Sequence, residues 1–186
     1  MKPTAIDFHG ATSGRPGKYV VARAEEIPEG HRAIVRVEGR SYGVFNIDGT
    51  FYALLNRCPH QGGELCKGPL HTLVEGDGHG RIRFDTSRWH ISCPWHGWEF
   101  DVATGRSYFD PQRTKARRVQ VSVEHGDEVA HEVASGTADV RSPEHDPIVA
   151  GGAHGTVVSR WAEGPYQAET VEVSVEDDYV MLVLRR

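Results

Sequence analysis

Two short segments set the terms for any fold this chain adopts: Cys58-Pro59-His60 and Cys93-Pro94-Trp95-His96-Gly97-Trp98. Each supplies one thiol and one imidazole from a stretch rich in Pro, Gly and aromatic residues. Two Cys and two His at such spacing can hold a metal centre, and the fold must then bring together loops separated by the 32 residues from Gln61 to Ser92. The unequal gaps, Cys-x-His and then Cys-x-x-His, suit an asymmetric two-iron site. A tetrahedral zinc ion, which also takes two Cys and two His, is the competing reading.

The rest of the pattern is that of a β protein. From Lys18 onward short β-branched and aromatic runs alternate with turn residues: Tyr19–Val21, Ala33–Val37, Tyr42–Ile47 and Phe51–Leu55, then Gly80–Phe84, Trp89–Ser92, Glu99–Asp101 and Arg118–Val123. Asp48-Gly49 is a hairpin turn, because a primed turn requires positive backbone φ. No amphipathic helix of normal length is expected. Residues before Lys18 read as an arm, and 125–164, with Ser142-Pro143, Asp146-Pro147 and Gly151-Gly152, as a loop-dominated stretch. The similarity of Val119–Glu124 to Val171–Glu176 is too short for a repeat. It suggests that the chain leaves the sheet after Val123, returns at Val171 and ends in a hairpin across Asp177-Asp178.

Size and charge narrow the function. At 186 residues one packed domain, 1–186, is the expectation. With 21 Lys and Arg against 26 Asp and Glu, a formal charge of -5 argues against nucleic acid as the partner. No apolar run is long enough to cross a bilayer, and the first residues lack a signal-peptide core, so a soluble cytoplasmic protein is expected. Three Cys cannot make a disulfide framework once two are committed to a metal.

At Cys58, His60, Cys93 and His96 the sequence resembles the Rieske iron-sulfur family position by position, and the surrounding Cys58–Leu65 and Cys93–Asp101 look like the Rieske ferredoxins and N-terminal Rieske domains of bacterial ring-hydroxylating oxygenases. The resemblance implies a mainly antiparallel β-sandwich or barrel with a small cluster-binding subdomain, whose loops near 57–65 and 93–99 clamp a 2Fe-2S cluster. Cys58 and Cys93 would hold a buried iron, His60 and His96 an exposed one, with Trp95 and Trp98 shielding the centre. The function implied is one-electron transfer as a ferredoxin-like component or subunit of an oxygenase system, with a flavin reductase, an oxygenase catalytic subunit, or both, as partners. The alternative is a zinc-stabilised binding module with no redox role.

Several residues depart from that family's patterns. The gap between the two segments is about twice the usual one, so 69–87 reads as an added hairpin or flap, and 125–164 is a second insertion. High-potential relatives staple their loops with extra cysteines, but Trp95 occupies the position that would pair with Cys66, and Trp98 and Phe100 replace hydroxyl donors. The potential should therefore sit toward the low end of roughly -150 to +300 mV, and Cys66 reads as a small buried residue. Seven further histidines, from His71 to His154, include no Asp-x-x-His-x-x-x-x-His arrangement, so no mononuclear catalytic iron is expected and bond chemistry would fall to another chain.

Overall fold

The computed structural model describes residues 4–5, 17–76, 78, 81–137, 139–141, 144–150, 172–173 and 177–184. The strands are β1 (Thr4–Ala5), β2 (Gly17–Arg23), β3 (His31–Val37), β4 (Arg40–Ile47), β5 (Thr50–Leu55), β6 (Leu70–Gly76), β7 (Ile82–Ser92), β8 (Glu99–Asp101), β9 (Arg118–His125), β10 (Asp139–Arg141), β11 (Glu144–Ala150), β12 (Glu172–Val173) and β13 (Asp178–Leu184), with one α-helix, α1 (Gly126–Ser135). Eight strands form a barrel-like sheet in the order β10-β2-β13-β9-β5-β4-β3-β11, antiparallel except for β10 against β2. A three-stranded sheet, β6-β7-β8, makes the second layer, and β1 pairs with β12.

Period-two alternation decides where each residue goes. In β3 and β4, Ala33, Val35, Val37, Tyr42 and Val44 point into one core with Tyr19, Val21, Ala53, Val180 and Leu182. Their neighbours Ile34, Phe45 and Ile47 point to the opposite face, where they meet Leu65, Leu70, Ile91 and Phe100 beneath the three-stranded sheet. Farther along the same outer face, Val20, Tyr179 and Met181 pack on Val129 of α1 and Val140. The central strands are thus buried on both faces, which is why they read as continuous apolar runs rather than as alternation.

Tight turns fix the register. Asp48 and Gly49 take φ of 50° and 75°, and Glu38 and Gly39 take 50° and 73°, so both hairpins flanking β4 turn through two consecutive residues of positive φ. Residues 69–87 fall within the β6–β7 hairpin, where Gly80–Phe84 and Trp89–Ser92, expected as separate strands, belong mostly to the single strand β7.

The structure corrects three expectations. A helix is present: Val129, Ala130 and Val133 supply a short apolar face against the sheet, and Gly136 closes it with φ of 64°. The stretch after His125 is more ordered than loop composition suggests, since Glu144–Ala150 pairs with β3. Pro147 is tolerated there because β11 lies at a sheet edge and the register shifts between Asp146 and Val149. Finally, the chain does not end in a hairpin across Asp177-Asp178: Glu172 and Val173 pair with β1, while β13 runs between β2 and β9. Residues 151–164 of the expected second insertion lie outside the described residues.

Candidate metal centre

Both loops that carry the Cys/His pairs leave the ends of strands. Cys58 follows β5, and Cys93 lies between β7 and β8. In each the Cys amide donates to the carbonyl five residues on, Cys58 to Gly63 at 2.8 Å and Cys93 to Trp98 at 2.7 Å. In each the residue four positions on donates back to the Cys carbonyl, Gly62 at 2.8 Å and Gly97 at 2.9 Å. Both glycines hold left-handed φ, 83° and 68°, which a side chain would strain. The two loops are therefore one backbone turn used twice, with Pro59 and Pro94 matched. The unequal Cys–His spacing shifts the imidazole by one position on that turn.

The donors separate by type. Cys58 and Cys93 are buried, at 2% and 3% exposure, with their thiols in contact, while His60 and His96 are exposed. The two rings lie 4.9 Å apart at 76°, and neither makes a hydrogen bond among the described residues. Burial pushes the Cys58 thiol up; the His60 amide pulls it back down, the neighbouring Cys93 thiol adds to the rise, and the Gln61 amide again lowers it. Those amides are aimed where a thiolate would carry charge. No three His, Cys, Asp or Glu side chains among the described residues converge as a single ion requires. A thiol pair below an imidazole pair fits two metal atoms bridged by other ligands better than one tetrahedral ion.

Packing around the pairs depends on missing side chains. A Cβ on Gly63 would lie 2.9 Å from the Trp95 ring and 3.3 Å from the Cys93 thiol, and one on Gly68 would collide with the Ser92 carbonyl oxygen. Trp98 stacks on His60 at 4.7 Å and 13°, so it shields one histidine; Trp95 is 60% exposed and covers Gly63 rather than closing the site.

Buried polar groups tie the cap formed by the two Cys/His loops and the three-stranded sheet to the barrel. Arg32 of β3, 4% exposed, donates to the Gly68 carbonyl at 2.7 Å. Asn56 accepts from the Cys66 amide at 2.7 Å and donates to the Ser41 hydroxyl at 3.1 Å. Cys66 itself is fully buried against Gly43, where a Cβ would come within 2.6 Å of the Cys66 Cβ, and burial pushes its thiol up to about 12. Near Cys93, the His71 ring nitrogen Nε2 lies 2.8 Å from the Ser92 hydroxyl and 3.4 Å from Glu99. His90, 2% exposed, has no partner at Nδ1, and burial holds its pKa down. A cavity of about 510 Å³ opens beside His96, walled by Gly97, Trp98, Glu99, Tyr108 and Phe109.

Sequence reasoning missed Arg32, Asn56 and Gly68 as supports. The local density of glycine at 62, 63 and 68 was the available signal for close approach of two loops.

Relatives place the arrangement. Curated relatives include the ferredoxin component of a naphthalene 1,2-dioxygenase system from Pseudomonas aeruginosa, 32% identical over 53% of this chain and 80% of the relative. The ferredoxin component of the naphthalene 1,2-dioxygenase/salicylate 5-hydroxylase systems of Ralstonia sp is 29% identical over 54% and 82%. Among solved structures, the ferredoxin of carbazole 1,9a-dioxygenase from Nocardioides aromaticivorans IC177 aligns over 58% of this chain and 90% of that one, with 24% identity and a TM-score of 0.43. Residues 17–125, which span five of the eight strands of the barrel (β2 to β5 and β9), both Cys/His loops and the three-stranded sheet, match the Rieske [2Fe-2S] domain, and the chain belongs to that family.

Proposed function

We propose that the chain is a one-electron carrier of ferredoxin type, a single Rieske domain over 1–186 that serves a bacterial oxygenase system from the cytoplasm. Cys58, Cys93, His60 and His96 would hold a 2Fe-2S cluster, which when bound supplies reversible one-electron oxidation and reduction. The observation that carries this reading is the division of the donors, a buried thiol pair beneath two exposed imidazoles 4.9 Å apart.

The chain's own residues perform three tasks. Cys58 and Cys93 anchor the centre inside the cap, where the His60 and Gln61 amides favour thiolate. Trp98 excludes water from one side of His60. His60 and His96 present the outermost edge of the centre, where a partner comes closest. Relatives that are ferredoxin components of dioxygenase systems support an oxygenase as partner; the redox partners proposed are a flavin reductase, an oxygenase catalytic subunit, or both.

The test is iron and acid-labile sulfide analysis with electron paramagnetic resonance of dithionite-reduced protein, on the natural sequence and on Cys58→Ala and Cys66→Ala. Two irons and two sulfides per chain with a low average g value are expected for the natural protein and for Cys66→Ala, and neither for Cys58→Ala. A colourless protein with one zinc per chain would defeat the proposal.

A further inference from the structure

A second cavity, of about 390 Å³, opens where β4 and β9 begin and β13 ends. It shares no lining residue with the cavity beside His96. Its walls are Val119, Val183, Leu184 and Tyr42, and its polar rim is Arg40, Arg117, Arg118, Gln120 and Glu38.

The charge here runs against that of the whole. The chain carries a formal charge of -5, yet three guanidinium groups meet at this opening against one carboxylate. None of the three guanidinium groups forms an ion pair or hydrogen bond among the described residues, and all three arginines are exposed. Glu38, by contrast, accepts from the Tyr19 hydroxyl at 3.1 Å. Among the described lining residues the excess is two positive charges, which a phosphomonoester, carrying about -1.5 to -2 near neutral pH, would balance.

Tyr42 supplies an independent observation. It is 4% exposed, with its ring in the barrel core, yet its hydroxyl has no hydrogen-bond partner among the described residues. The hydroxyl is not one of the buried atoms left without a partner, so it reaches the opening and can donate to a molecule there. Guanidinium forks and a phenolic O–H are all donors, the complement of a multi-oxygen anion. The volume lies near the lower end of small-molecule pockets, about 300–1,000 Å³, and the apolar wall suits a compact organic portion.

We propose that this cavity binds a small phosphate-bearing ligand of nucleoside-monophosphate size, held by Arg40, Arg117 and Arg118 around the Tyr42 hydroxyl. This site stands independently of the redox reading, since none of its residues belongs to the Cys/His loops.

Isothermal titration calorimetry of the cluster-loaded protein at low ionic strength tests it, with AMP, inorganic phosphate and adenosine as probes. Saturable binding of AMP is expected, with phosphate weaker and adenosine absent. The doubly substituted Arg117→Gln, Arg118→Gln protein should weaken AMP binding by about tenfold or more, and Tyr42→Phe by about two- to tenfold. Unchanged visible spectra would show that these variants stay folded. Absence of saturable AMP binding, or binding indifferent to the arginine substitutions, overturns the proposal. So does an arginine-dependent interaction with polyglutamate in the absence of AMP binding, which would make this face a protein-docking surface.

Discussion

The barrel and the cap are built by different means. In the barrel, Val35, Val44, Ala53, Val180 and Leu182 meet through side chains sorted by strand alternation, and the backbone stays at ordinary sheet spacing. In the cap, close backbone approach does the equivalent work: Gly68 lies on the Ser92 carbonyl, Gly63 lies under Trp95, and the neighbouring Gly43 of β4 makes room for Cys66. Polar groups buried at the junction, Arg32 and Asn56, then fix the cap to the barrel. A core made of side chains tolerates loss of volume by becoming less stable. A site made of backbone contacts has fewer ways to yield without losing its geometry.

That contrast can be broken by paired substitutions. Leu182→Ala should cost about 2–5 kcal/mol by removing a buried side chain, measured by urea unfolding, with the iron content of the folded fraction unchanged. Loss of iron in step with stability would show that barrel and cap are not separable. Gly68→Ala should cost about as much, roughly 3 kcal/mol, because the added Cβ meets the Ser92 carbonyl oxygen and backbone must shift, and it should reduce iron and sulfide well below the natural level while far-UV circular dichroism is retained. Gly49→Ala is the control, because that glycine has positive φ, which Gly68 lacks, but open space around it. It should lower stability by about 1 kcal/mol and keep its iron.

Extremes of pH sharpen the same distinction, because Cys66 and His90 are buried in the cap. The Cys66 thiol keeps its proton to about 12 when folded and releases it near 9 when unfolded. Its contribution is fully present below pH 9 and declines at up to about 1.4 kcal/mol per pH unit above it. Cys66→Ala should flatten that decline in metal-free protein, and an unchanged slope would assign it elsewhere. His90 has the smaller effect and the opposite direction. Its folded pKa lies below 6.5, so the unfolded chain binds a proton first as the medium acidifies, and stability falls as pH drops through that range. His90→Gln should make acid unfolding shallower.

The same division explains what was legible in the sequence. Tyr42–Ile47 and Tyr179–Leu184 declared themselves because strands buried on both faces need long apolar runs. The four Cys and His positions were legible because their chemistry admits few substitutes, whereas Arg32 gave no sign. A lone arginine in a β-branched run looks like a solvent-facing residue, and only the return of the chain at Gly68 makes it a buried brace. The helix α1 was hidden by its opening Gly126 and its two β-branched valines, which weaken helical propensity, although Gly136 was a proper stop signal. β11 was hidden by Pro147, whose compatibility with a strand depends on being at an edge.

The meeting of Cys58 and Cys93 also has a consequence for the chain as a polymer. Any group that bonds both thiols ties off the intervening loop, as a disulfide would. By the chain-entropy relation, closing a loop of this length restricts the unfolded ensemble by about 4 kcal/mol. The cofactor would then be a clasp as well as a redox group, and the difference in unfolding free energy between loaded and metal-free protein would measure how firmly it fastens.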